Sequence, residues 1–164
     1  ARNLAVRVRR AIEGRHSPFL ANRENVAYFP VMPELLVPVS PGELIDKITI
    51  LEIKSQRMSD PAKLHNVRTE LALLNDTWRA SPYSATDVGA EWAALREVNA
   101  KLWDIEDRIR DKERDHAFDD VFIELARAVY VTNDERAAVK KSINSRLGST
   151  LVEEKSYANH TRRE

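Results

Sequence analysis

The chain has 164 residues, no cysteine, four glycines, and 26 basic against 26 acidic side chains, so its formal charge is zero. The missing thiols exclude disulfides, thiol nucleophiles and thiolate metal sites, and the neutral balance argues against binding a polyanion by bulk charge. No apolar run approaches the ~18 residues of a membrane span. Arg7, Arg9 and Arg10 interrupt the one apolar stretch near the start that could serve as a signal peptide. One helical, cytoplasmic domain is the expectation.

Residues 1–31 hold six arginines against Glu13 and Glu24. They are expected to form a basic extension outside the core, with Leu4, Val8, Ala11 and Ile12 along one side of a short helix. The plain reading of these arginines is a solvated basic arm, with contact to nucleic acid or an anionic surface as the alternative; a nucleic-acid partner is not expected. From Ala27 to Val39 the chain is apolar and punctuated by Pro30, Pro33 and Pro38. Prolines that close together rule out a helix and a central strand, which leaves an extended strap or, at most, a short two-stranded ribbon.

The best-marked element starts at Ser40. Ser-Pro-Gly-Glu places a hydroxyl at the N-cap, proline at the first helical position and Glu43 where a capping box needs it. Leu44, Ile45, Ile48, Leu51 and Met58 follow as an apolar seam. A second helix is expected from Asp60-Pro61, with Leu64, Val67, Leu71, Leu74 and Trp78 spaced by three and four. A third runs from about Val88 to Asp115 with Leu95, Val98, Leu102, Ile105 and Ile109. Two matched seams joined by a short loop predict a long antiparallel hairpin packed by coiled-coil rules. A fourth helix carries Phe118, Phe122, Leu125 and Val129. A turn at Thr132-Asn133-Asp134 then leads into a fifth with Val139, Ile143 and Leu147. The fold class is therefore all-α, an antiparallel bundle of about five helices built on that hairpin, with residues 32–164 as one domain.

The segments VPVSPGELIDKITILEIK, DPAKLHNVRTELALL, LREVNAKLWDIEDRIRDKE, FIELARAVYVTNDERAAVKKSIN and LGSTLVEEKSYA resemble a bacterial family of small helical proteins of unknown function. The resemblance covers residues 32 to about 158. Members of that family often occur beside glycosyltransferases of surface-polysaccharide loci, which implies a setting in sugar metabolism but carries over no catalytic residue. Family members tend to begin just before VPVS, where Met32-Pro33 stands here. Residues 1–31 are therefore expected to be dispensable for folding, either as a true extension or as sequence upstream of the start.

Several polar residues look misplaced on these helices. Glu52 falls on the apolar side of the first helix, beside Ile45 and Ile48, where it either lies at the seam edge and reaches solvent or a neighbouring arginine, or joins a polar pocket. Asn99, Trp103, Glu106 and Arg110 form a stripe at spacings of four, three and four on the third helix. An amide, an indole, a carboxylate and a guanidinium in one row suit a sugar or nucleotide. The plain alternative is a structural stripe in which Glu106 and Arg110 form an ordinary i,i+4 pair. Glu153, Glu154 and Lys155 follow the last helix, where they could pair with the bundle or close over a pocket containing Glu52 and Glu106. The four histidines are scattered without ligand spacing, and the isolated glycines form no phosphate loop, so no cofactor is expected. The leading reading is a non-catalytic binding or accessory protein with a sugar or nucleotide ligand, a protein partner or a second copy of itself. The runner-up is a small Mg²⁺-dependent hydrolase of nucleotides or nucleotide sugars, since helix carboxylates suit that ion.

Overall fold

Helix formation begins at Ser40, whose extended backbone lets its hydroxyl accept from the Glu43 amide at 3.2 Å, with Pro41 opening the first turn. The reciprocal half of the capping box gives way to a tertiary contact: the Glu43 carboxylate instead accepts from Lys140 Nζ at 2.8 Å. The computed structural model describes residues 35–154 and Ser156. The expectations for residues 1–31, for the strap before Leu35 and for Lys155 lie outside the described residues. Residues 35–40 carry no regular secondary structure, and Leu35, Leu36 and Val37 are exposed.

Among the described residues there are four α-helices and no strand: α1 (Pro41–Arg57), α2 (Pro61–Ala80), α3 (Gly89–Arg114) and α4 (Asp120–Arg146). One 3-10 turn, Pro82–Ala85, lies between α2 and α3. Asp60 caps α2 by accepting from the amides of Ala62 and Lys63. Asp119 caps α4 by accepting from the Phe122 amide. No described helix is long and apolar enough to cross a membrane.

The expected turn at Thr132-Asn133-Asp134 is part of α4, so the described helices number four and not five. Asn133 bonds the Val129 carbonyl one turn back, at 3.0 Å, instead of capping a new helix. Thr132 is buried on the same side as Leu125 and Ile143. Packing of that face outweighs the few tenths of a kcal/mol by which each such residue disfavours helix.

The packing partners also differ from expectation. The segments 60–79 and 88–115 meet near their connected ends, where Trp78 and Trp92 stand edge to face with centroids 5.6 Å apart. Beyond that, α2 lies along α1, while α3 lies along α4 and α1. The hairpin of the fold is thus α3–α4. Lys101 pairs with Glu135 and Glu91 with Arg146, contacts that fix an antiparallel register. Its turn is closed by His116 in the left-handed region (φ 52°), with the Ala117 amide on the Lys112 carbonyl and the His116 amide on Glu113.

α1 is the central rod, because it packs against each of the other three α-helices and holds the most buried residues. Ile45 and Ile48 are fully buried, and Leu51 and Ile53 nearly so. Ile45 joins Val88, Leu95 and Ile143 in the core, with Trp78, Trp92, Val139 and Leu147 packed against them. Each such side chain contributes about 1.5–3 kcal/mol when buried. α1 and α4 approach closely at Gly42, where a Cβ would fall 2.7 Å from the Lys140 carbonyl oxygen. The Gly42 amide donates to Asn144 Oδ1 at 2.8 Å across that contact.

A buried ion pair beside an open groove

The α1–α4 seam carries charge through the core. Asp46 is 1% exposed. Its two carboxylate oxygens accept from Arg136, Oδ1 from Nε at 2.8 Å and Oδ2 from a terminal guanidinium nitrogen. Asn99 Nδ2 donates to Asp46 Oδ1 at 2.8 Å and to Thr49 Oγ1 at 2.9 Å, and the Thr49 hydroxyl donates to the Asp46 carbonyl. A carboxylate this deep would cost several kcal/mol unpaired. The bidentate guanidinium and the amide offset that cost. The same contact holds Arg136 above the ordinary arginine range, chiefly through its hydrogen bond to Asp46.

One turn further along α4, Lys140 is held between Glu43 at 2.8 Å and Glu153 at 2.5 Å. Burial alone would lower its pKa, but the hydrogen bonds to Glu153 and Glu43 outweigh burial and raise it. Thr132 Oγ1 and Glu91 Oε2 are buried without a partner among the described residues.

Beside this seam lies a groove of about 370 Å³. α1 contributes Ile50 and Lys54, and α4 contributes Asn133 and Arg136. The longest wall comes from α3, with Asn99, Trp103, Glu106, Asp107 and Arg110. The four-residue stripe read from the sequence is therefore gathered on one wall. Glu106 pairs with Arg110 at 3.0 Å. Arg57, ion-paired to Asp104, stands over the Trp103 ring with its guanidinium carbon 5.9 Å from the centroid.

The remaining candidates lie elsewhere. Glu52 does not line the groove; it faces Arg96 at 3.6 Å and hydrogen-bonds Trp92. Burial pushes its carboxyl above the ordinary glutamate range, against the opposing pull of Arg96 and Trp92. Glu153 reaches Lys140 beside a second cavity of about 290 Å³ near the end of α4, Glu154 is exposed, and Lys155 is outside the described residues. The tail, Glu52 and Glu106 thus occupy three separate places. Sequence reading passed over Asp46, Thr49, Arg136, Lys140 and Asn144. A signal existed: Thr132, Arg136, Lys140 and Asn144 recur every four residues along the face of α4 that also carries Leu125 and Ile143.

A family described as one of unknown function, DUF6165, has a sequence model that matches residues 35–162. The chain belongs to this family. No curated protein and no solved structure matched in the same comparisons. The span matched to DUF6165 holds every residue of the groove and of the Asp46 network.

Proposed function

We propose that the protein is a non-catalytic binding or accessory protein that receives a sugar or nucleotide ring in the groove beside Trp103. The observation that carries this reading is the meeting of an indole, two amides and several ionised side chains from three helices around one open cavity. Rings of that kind present an apolar face to stack and polar edges to bond. A role in sugar or surface-polysaccharide metabolism rests on the family resemblance described above.

The state of the acids favours binding over metal-assisted hydrolysis. Asp46 is engaged by Arg136, Glu43 by Lys140 and Glu106 by Arg110. Among the described residues no three carboxylate or imidazole groups converge as a metal-ligand set. A protein partner or second copy fits the exposed apolar residues Phe118, Val121, Ile123 and Tyr130 around the first half of α4.

A thermal-shift screen with nucleotide sugars, nucleotides and divalent cations tests the reading, because a ligand of the folded state raises Tm by mass action. The expected result is a shift with a ring ligand that is lost in Trp103→Ala and reduced in Glu106→Gln. A shift from Mg²⁺ or Mn²⁺ alone, with turnover of a nucleotide, would replace binding by hydrolysis.

A further inference from the structure

We propose that the groove takes its ligand by a phosphate group, received at the Arg136 end between Arg136 and Lys54. This deepens the binding reading above and rests on it. Arg136 is oriented in advance: Nε and one terminal nitrogen are held by the two oxygens of Asp46, and Asn99 braces the same carboxylate. A guanidinium has five N–H donors. Those not engaged by Asp46 have no acceptor among the described residues, and the side chain, 26% exposed, lines the groove.

Lys54 stands on the α1 wall of the same groove and forms no ion pair with a described residue. Helical side chains lean toward the N-terminus of their own helix. Lys54 therefore leans back along α1 toward the level of Ile50, which lines the same groove. α4 runs antiparallel to α1, as the Gly42–Asn144 and Asp46–Arg136 contacts require, and Arg136 and Lys54 line the same groove from these two helices. A guanidinium fixed on one side and an ammonium free on the other suit a phosphate, which takes charge-assisted bonds from several directions.

The polarity of the groove limits where that group can sit. Asp107 and the Glu106–Arg110 pair line the cavity along α3. Carboxylates repel a second phosphate and accept well from hydroxyls. Trp103 lies in the same wall. The arrangement fits a phosphate carried on a hydroxylated ring, a chemistry shared by sugar phosphates and nucleotides.

The test uses the full chain, uniformly ¹⁵N-labelled, with the Arg136 Nε–H and Trp103 indole N–H signals as reporters. Inorganic phosphate is expected to move the Arg136 signal saturably, sodium chloride of equal ionic strength is not, and Lys54→Glu should weaken the effect by about tenfold or more. Glucose 1-phosphate and uridine monophosphate then separate the two sources, since the true class also moves the Trp103 signal. Inorganic phosphate that leaves Arg136 unmoved, or a Lys54→Glu variant that binds like the parent, overturns the inference. Free glucose or uridine moving Trp103 while every phosphate compound is inert would overturn it and leave the binding reading standing. Silence at Trp103 from all of these probes would remove both.

Discussion

Arg136 and Asp46 stand 90 residues apart in the chain and meet as a two-point ion pair inside the α1–α4 seam. One of them is fully enclosed, and the other runs from the core to the edge of the groove. The pair thus ties the register of two helices to the geometry of the candidate site.

Removing only the cation should therefore be severe. Arg136→Met leaves a carboxylate in the core with Asn99 as its remaining side-chain donor, and is expected to cost about 3–5 kcal/mol. Pairing it with Asp46→Leu removes the stranded charge and should recover at least half of the loss. Urea denaturation of the two single variants and the double variant measures both terms. A mild single variant would mean that water readily reaches Asp46.

Gly42 makes a second test of the same seam. Alanine is the better helix former by about 1 kcal/mol, yet its Cβ would lie 2.7 Å from a backbone oxygen that cannot swing away. Gly42→Ala is expected to lower stability by about 1–3 kcal/mol through forced separation of α1 and α4. A raised Tm would show that the helices have room to part.

Thr132 offers the opposite sign. Its hydroxyl is buried and lacks a described partner, so the folded state bears its desolvation. Thr132→Val keeps the branched shape and is expected to stabilise by about 1 kcal/mol. Thermal unfolding at neutral pH reads this directly, and a loss of stability would reveal a bonded hydroxyl.

Glu52 supplies a pH dependence. Its carboxyl is raised above the ordinary 4.5, first by burial, so the folded state holds the proton more tightly than the unfolded chain. Stability from this group is complete below about pH 4.5, declines as pH rises to the raised value, and stays reduced above it. Glu52→Gln should remove that decline and raise Tm at pH 7, since the pair with Arg96 is partly exposed and contributes little. Tm profiles from pH 4 to 8 for both proteins check it, and a lower Tm for the variant at pH 7 would mean that the charge is useful there.

The helix starts were legible because capping is local. Ser40-Pro41 and Asp60-Pro61 carry their signals within four residues, and both helices begin there. The end of α4 has an equally local device, Gly148 at φ 64° just beyond the helix. The stripe Asn99, Trp103, Glu106 and Arg110 was legible as a stripe because helical periodicity puts it on one face. Which helix faced it was not. Asn133 and Asp134 misled because short polar side chains cap or continue a helix with similar local energies. The burial of Thr132 on a face shared with Leu125 and Ile143 decided between them.

The sequence by itself determined the all-α class, the caps, the apolar seams and the members of one polar row, since each depends on residues within a few turns. Tertiary structure alone decided that α3 pairs with α4 and not α2, that Asp46 and not Glu52 is the enclosed acid, and that Arg136 and Lys54 complete the groove. Those outcomes depend on contacts between residues tens of positions apart. The deciding quantity is the burial and charge pairing of whole faces, and no short window of sequence contains both partners.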